Sequence, residues 1–140
     1  MALVTGSGGG IGKAIALKFA TEGACVVLSD NDASRLHEAS EEFTKKFGKD
    51  SFTAVQLDVT RAEDSERAIS AAALAFGGVD LIVNNAGISI SKPAEAHEEK
   101  DWDLLYDILV KGQFLVSTAA IRLMKKQALG GDIINIVSKN

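Results

Sequence analysis

The turn that follows the first apolar run of the chain is rich in glycine. Residues 5–12 read Thr-Gly-Ser-Gly-Gly-Gly-Ile-Gly, and the spacing that fits is G-x-x-x-G-x-G rather than G-x-G-x-x-G. Glycine lets the backbone turn tightly and approach a ligand closely, and the first N–H groups of a following helix attract phosphate. The pattern predicts a dinucleotide site; the alternative is a surface turn without a ligand. The candidate contacts are Gly6, Ser7, Gly10, Ile11 and Gly12.

An acidic residue, Asp30, stands at the end of the second apolar run. A carboxylate about 20 positions beyond such a glycine loop can accept hydrogen bonds from a ribose 2′-hydroxyl, and it would repel a 2′-phosphate. We find no basic residue in the sequence that would pair with a 2′-phosphate, so NAD is favoured over NADP. In the alternative interpretation Asp30 only caps the next helix, a role for which Asp32 is better placed.

Apolar runs alternate with helical patterns along the whole chain, which predicts an α/β fold with a doubly wound parallel sheet. Runs that are apolar throughout are typical of strands buried on both faces. The carboxyl ends of such strands share one edge, where ligands bind. Thr60 and Glu63 predict a capping box at the start of the third helix. The predicted strands are 2–5, 24–29, 52–57, 79–83 and 132–137, and the predicted helices are 11–22, 33–47, 60–76 and 101–127.

The chain resembles the short-chain dehydrogenase/reductase family in three motifs that occur in order. They are Thr5-Gly6-x-x-x-Gly10-Ile11-Gly12, then Leu57-Asp58-Val59, then Asn84-Asn85-Ala86-Gly87. The resemblance implies a Rossmann-like fold of five strands in the order 3-2-1-4-5, truncated relative to the full family fold. It also implies that the single domain 1–140 is an NAD-binding fragment, whose full-length form carries a catalytic Tyr-x-x-x-Lys pair after Asn140.

The same resemblance assigns roles to residues at the ends of the later strands. Asp58 would accept a hydrogen bond from the adenine amino group and Val59 would offer a backbone contact, while Asn85, Ala86 and Gly87 would run beside the adenosine ribose. Ser138, after the fifth strand, would hydrogen-bond the substrate oxygen as a catalytic residue. The alternatives are that Asp58 is a surface cap and that Asn84 and Asn85 form a simple turn.

Leu109 departs from the family pattern, which carries an asparagine there to support a proton relay. A leucine cannot replace the hydrogen bonds of that amide. Residues 109–117, together with Ser138-Lys139-Asn140, are similar to the dehydrogenase half of bifunctional rhamnulose-1-phosphate aldolase/alcohol dehydrogenases. That narrower resemblance implies a lactaldehyde-type substrate and an aldolase domain fused to this one.

The motifs together lead us to expect an NAD-dependent oxidoreductase that moves a hydride between NAD and a small alcohol/carbonyl substrate. The 140-residue chain itself would bind cofactor and turn over nothing. Two alternatives stay open: a non-catalytic NAD-binding or regulatory module, which Leu109 and the missing Tyr-x-x-x-Lys pair fit, and another doubly wound binder of nucleotides or adenosyl-methionine.

Composition narrows the classes of partner. The chain is 46% apolar and 24% charged, with a net charge of −4 and no cluster of basic residues, which disfavours nucleic acid. A single cysteine, Cys25, favours a reducing compartment, and we expect a cytoplasmic location. We expect no membrane span, and no metal site because His37 and His97 are isolated.

Two further expectations concern packing. Cys25 is expected to be a buried small hydrophobe, and Trp102 and Phe114 to pack in the core or at a subunit interface. The fifth strand would be an apolar sheet edge, and exposed edges recruit partners. We therefore expect a homo-oligomer, formed through that edge or through the apolar face of the 101–127 helix.

Overall fold

A computed structural model of the protein describes residues 1–138, which form an α/β fold of alternating strands and helices. The strands are β1 (Ala2–Thr5), β2 (Val26–Asp30), β3 (Phe52–Gln56), β4 (Leu81–Asn84) and β5 (Asp132–Asn135). The helices are α1 (Gly10–Thr21), α2 (Ala33–Phe47), α3 (Ala62–Phe76), α4 (Glu99–Tyr106) and α5 (Gly112–Gln127). A short 3-10 turn spans Ala94–Ala96, and a π-helical segment, Asp107–Lys111, joins α4 to α5.

The five strands form one parallel sheet in the order β3-β2-β1-β4-β5, as the resemblance implied. The order reverses at β1, whose neighbours are β2 and β4. Val4 of β1 stands beside Leu28 of β2 and Val83 of β4 in register. Residues that follow the five strands therefore share the carboxyl edge of the sheet, where β1 and its neighbours open a crevice.

The core lies on both faces of the sheet, which explains why the central strands are apolar up to their last one or two residues. Every residue of β1 and β2 is buried. One cluster packs α3 and α5 against Leu3, Val27 and Ile82, and the other packs α1 and α2 against Val4 and Leu28. Alternate side chains of a strand point to opposite faces, so a two-sided core requires apolar residues at consecutive positions.

The predicted N-terminal cap is observed at α2 and is not observed at α3. The Asp32 carboxylate accepts hydrogen bonds from the backbone N–H of Ser34 and Arg35, at 2.9 and 3.1 Å, and so caps α2. The capping box predicted at Thr60 and Glu63 is wrong. The Thr60 hydroxyl donates to Asp58 instead, because Asp58 lies close enough to take it at 2.7 Å.

The long helix predicted over 101–127 begins at Glu99 and contains the π-helical segment in its middle. By length and composition Glu99–Gln127 could also cross a membrane. In this fold, however, Val116, Ala120 and Met124 of α5 are buried against the core, as in a helix that covers a sheet.

Three side chains are less buried than expected. Trp102 and Phe114 are 69% and 65% exposed, so neither packs in the core. Both are exposed on the α4–α5 rod, the continuous helix Glu99–Gln127, which leaves a subunit interface as the remaining alternative for them. Cys25 is only partly buried, because it lies at the entrance to β2 rather than inside it.

Candidate functional site

An open cleft of about 670 Å³ lies at the carboxyl edge of the sheet. Of the cofactor contacts expected from the sequence, most line this cleft, and Ser7 and Gly12 lie beneath it. The predicted residues that line it are Gly6, Gly10, Ile11, Asp30, Asp58, Val59, Asn85, Ala86 and Gly87. The strand order thus brings together side chains and backbone from four separate loops.

The glycine loop has two residues in the left-handed backbone region and one at a close packing contact. Gly6 and Gly10 have φ values of +64° and +54°, which disfavour any side chain. A Cβ on Gly12 would lie 2.3 Å from the Gly6 carbonyl oxygen and 2.4 Å from Asn85 Nδ2. Glycine at position 12 is therefore what lets α1 start directly under the loop.

Ser7 has a structural role in this loop. Its backbone N–H donates to the Ser29 carbonyl at 2.8 Å, and its hydroxyl oxygen accepts from the Ser29 N–H at 2.8 Å. The side chain is fully buried. Ser7 thereby attaches the loop to β2 and holds its neighbouring N–H groups in place.

Thr5, at the end of β1, holds the segment that leaves β4. Its hydroxyl oxygen accepts hydrogen bonds from the N–H groups of Asn85 and Ala86, both at 2.9 Å. In return, the Asn85 side-chain amide donates to the carbonyls of Thr5 and Gly6, at 3.0 and 3.3 Å. The Asn85 amide is therefore used inside the protein, which agrees with its interpretation as a turn residue and leaves the backbone of Ala86 and Gly87 to face the cleft.

The Asp30 carboxylate is fixed on the rim of the cleft. One oxygen accepts from the Gly8 N–H at 3.0 Å and the other from the Asp32 N–H at 3.0 Å. The residue is only 9% exposed. Asp30 therefore does not cap α2 by itself; it presents an oriented negative charge beside the glycine loop.

Two basic residues also line the cleft, although the sequence indicated no basic group that would pair with a 2′-phosphate. They are Lys13 and Arg35. Each is already paired with a carboxylate: Lys13 Nζ lies 3.1 Å from Glu42, and Arg35 Nε lies 3.4 Å from Asp32. The sequence gives no sign of this because Arg35 lies five positions beyond Asp30 on α2, and Lys13, which directly follows the glycine loop, lies within α1.

Asp58 sits at the start of the loop between β3 and α3 and is tied to it from both sides. Its carboxylate accepts from the Thr60 N–H and hydroxyl, at 2.9 and 2.7 Å. Its own N–H donates to Asp64 at 3.1 Å. A hydrogen bond from Arg67, followed by this one from Asp58, lowers the pKa of Asp64. Asp58 is thus a local cap that also lines the cleft, and its contact with adenine stays a prediction.

A buried amide joins the ends of β4 and β5. Asn84 donates to Ser117 Oγ at 2.9 Å and to Asn135 Oδ1 at 2.8 Å. The Ile136 N–H continues the ladder to the Asn84 carbonyl at 2.9 Å. Ser138 follows two residues later and is exposed at the same sheet edge, which places it on the β5 side of the crevice and outside the residues that line the cleft.

Leu109 lies in the π-helical segment next to the β4 loop. A Cβ on Gly87 would come within 3.1 Å of Leu109 Cδ2, so the leucine packs closely over the backbone there. Its neighbour Ile108 lines the cleft. Over residues 1–138, no group of three or more His, Cys, Asp or Glu side chains is arranged to hold a metal ion.

Comparison with known proteins identifies relatives of the chain. An uncharacterized oxidoreductase of Bacillus subtilis (strain 168), YuxG, is 41% identical over all 140 residues, which cover 20% of that protein. An uncharacterized oxidoreductase of Staphylococcus aureus (strain MRSA252) is 36% identical over 138 residues, and the chain spans 58% of its length.

Solved structures agree with the fold. Sorbitol-6-phosphate 2-dehydrogenase from Erwinia amylovora superposes with a TM-score of 0.92 at 27% identity, over 99% of this chain and 54% of that one. L-sorbose reductase from Gluconobacter frateurii, solved with NADPH and L-sorbose, gives a TM-score of 0.85 at 34% identity, over 96% and 50% of the two chains.

The family model described as short chain dehydrogenase matches residues 1–140, the full extent of the sequence. The motifs that carried the resemblance and the cleft they build lie within that match. The chain therefore belongs to the short-chain dehydrogenase family.

Proposed function

We propose that the chain binds NAD and forms the cofactor-binding part of an oxidoreductase that moves a hydride between NAD and a small alcohol/carbonyl substrate. The observation that carries the choice of cofactor is the fixed carboxylate of Asp30. An oriented carboxylate can accept hydrogen bonds from the two hydroxyls of a ribose, whereas a 2′-phosphate in the same place would bring like charges together.

The residues that line the cleft are arranged along the sheet edge in an order that would suit such a cofactor. The glycine loop and the start of α1 would hold the pyrophosphate through N–H groups and the helix dipole. Asp58 and Val59 would border the adenine, and Ala86 and Gly87 would offer a backbone surface beside the ribose. When bound, the nicotinamide would supply the hydride chemistry, and the protein would bind and orient it.

Ser138 would hold the oxygen of the substrate by a hydrogen bond from the β5 side of the crevice. The whole activity is proposed for the full-length protein, because the chain spans only 20% and 58% of the two relatives described above. We further propose, from the narrower resemblance, a lactaldehyde-type substrate and a fused aldolase domain. The 140-residue chain alone should bind cofactor without turnover.

A non-catalytic NAD-binding module is the second candidate, and Leu109 favours it. The side chain fills the position next to Gly87 with hydrocarbon, where the family resemblance implies an amide. Such a module would bind NAD with the same cleft, so cofactor binding alone does not separate the two candidates.

The test has two steps. Calorimetric titration of the chain with NAD should give measurable binding. Titration with NADP should give binding at least about tenfold weaker, because one unfavourable interaction between charges is large enough for such a change. Equal or tighter binding of NADP would contradict the choice of cofactor. The full-length protein is then assayed with small aldehydes and NADH; binding without turnover would favour the module.

A further inference from the structure

The segment between Ile88 and Ile108 leaves the cleft and then returns to it. Both isoleucines line the cleft. Between them the chain runs through an irregular stretch, the 3-10 turn and α4. Just outside the two ends, Gly87 and Leu109 pack against each other. This segment, called here the 88–108 excursion, is therefore anchored to the cleft at both ends.

One buried carboxylate ties the middle of the excursion together. Lys92 Nζ lies 2.6 Å from Asp101 Oδ2, and the same oxygen accepts from the Glu98 N–H at 3.1 Å. His97 Nδ1 is 3.8 Å away. Asp101 is only 7% exposed, although every residue from 91 to 100 is exposed. The hydrogen bond from Lys92 is also the main reason why the pKa of Asp101 is lowered.

Topology places this excursion over one particular half of the crevice. It starts at the end of β4, the strand beside β5, and Ser138 follows β5 at the same edge. Asp30 and Asp58 follow β2 and β3, on the other side of β1. If the adenosine half of the cofactor lies by these two carboxylates, as in the function proposed above, the excursion borders the half where the substrate reacts.

We propose that Lys92 and Asp101 are positioning residues, whose ion pair holds the 88–108 excursion as a fixed wall on the substrate side of the cleft. An exposed stretch without such a tie samples many conformations, and a substrate that binds against it must first order it. With the ion pair formed, the stretch is already ordered before the substrate binds. The inference rests on the proposed function for the identity of the substrate side, and on the observed contacts for the tie itself.

Two substitutions in the full-length protein loosen the pair and leave its surroundings intact. Lys92→Met keeps most of the side-chain stem and removes the charge. Asp101→Asn removes the charge and keeps an oxygen that can accept from the Glu98 N–H. In each variant we expect the KM for the carbonyl substrate to rise about three- to tenfold, the range that loss of a partly buried ion pair supports. We expect kcat and the Kd for NAD to stay within about twofold, and Lys92→Arg to restore the KM.

The control is Lys18→Met, which breaks the exposed Lys18–Glu22 pair on α1 and should change none of these constants. Hydrogen exchange of residues 88–98 should also become faster in Lys92→Met and not in the control. An unchanged KM, an unchanged exchange rate, or a rise in the Kd for NAD equal to that in KM would overturn the proposal. Absence of NAD binding and turnover in the unsubstituted protein would instead overturn the proposed function, and hydrogen exchange would still test the tie.

Discussion

Gly12 leaves no space for a side chain, because the Gly6 carbonyl and the Asn85 amide lie where a Cβ would be. We expect Gly12→Ala to lower the free energy of unfolding by about 2–3 kcal/mol, as overpacking does where backbone atoms must move. It should also weaken NAD binding, since the glycine loop moves with them. Urea unfolding and titration of the folded variant measure the two effects.

Gly9→Ala provides the matched comparison within the same loop. A Cβ there would meet nothing within 4 Å, and the backbone is extended, with φ at −165°. Its free energy of unfolding should therefore change by less than about 1 kcal/mol. If the two variants were equally stable, the close contact at Gly12 would not matter to the fold.

Asp30→Ala should shift the cofactor preference from NAD towards NADP. It removes the proposed acceptor for the ribose and leaves the N–H groups of Gly8 and Asp32 without their carboxylate. Loss of hydrogen bonds to a charged group weakens NAD binding by about ten- to a hundredfold. NADP binding should become tighter, because the repulsion is gone and Arg35 lines the same cleft.

Titration with both cofactors gives the ratio of the two Kd values, and Asp103→Ala, on the exposed side of α4, is the control. If Asp30→Ala lowered the affinity for NAD and for NADP equally, Asp30 would only stabilise the loop. Arg35→Ala in the Asp30→Ala background should then reverse any gain in NADP affinity, since that guanidinium is the group we expect to meet the phosphate.

At the scale of elements, Asp64 links the start of α3 to the loop that carries Asp58. Its pKa is lowered mainly by the hydrogen bond from Arg67. A lowered pKa in the folded state means that the group stabilises the protein above the ordinary aspartate pKa of about 3.9 and loses that contribution as pH falls towards the folded-state value. We expect Asp64→Asn to lower stability at neutral pH by about 1 kcal/mol or less.

The difference between Asp64→Asn and the unsubstituted protein should shrink as pH falls below about 4 and Asp64 takes up a proton. Thermal unfolding across that range measures it. Glu63→Gln is the control, because the Glu63 side chain is 85% exposed whereas that of Asp64 is 14% exposed. A difference that stays constant over this pH range would show that the charge of Asp64 is not what stabilises the loop.

Elements governed by local chemistry could be predicted from the sequence. Consecutive apolar residues in β1 and β2 indicated buried parallel strands, and Asp32 indicated the cap of α2. Most of the features that were missed depend on tertiary contacts. Nothing near Thr5 indicates that its hydroxyl holds the β4 loop, and nothing near Arg35 places it beside Asp30. Thr60 fitted a capping pattern, but the competing acceptor on Asp58 took its hydroxyl.

The π-helical segment in the long helix is another feature that the sequence did not predict. Residues 101–127 carry a continuous helical pattern, and no proline or glycine pair marks a change of pitch before Gly112. The site of that glycine explains the local packing: a Cβ on Gly112 would lie 2.7 Å from Val59 Cγ2, so α5 begins in close contact with the loop after β3. The contact belongs to the assembled fold, and the sequence of the helix alone does not contain it.

For the whole molecule, the described residues present two apolar surfaces that the sheet does not cover. One is the outer side of the α4–α5 rod, where Trp102 and Phe114 are 69% and 65% exposed. The other is β5, which pairs only with β4 among residues 1–138 and exposes 44% of Ile134. Exposed large apolar side chains are enriched at protein–protein interfaces, so we propose that the chain forms homo-oligomers.

Substitution of Phe114 separates the two surfaces. Burying a large aromatic residue at an interface often contributes 2 kcal/mol or more, so a charge there should raise the dissociation constant about 30-fold or more. We expect the chain to sediment as a dimer or larger at tens of micromolar, and Phe114→Glu to sediment as a monomer. Leu74→Glu is the control, because Leu74 is 88% exposed on α3, an element that belongs to neither surface. Association that survives Phe114→Glu and is lost in Ile134→Lys would assign the contact to the β5 edge, and a monomeric unsubstituted chain would contradict self-association through either surface.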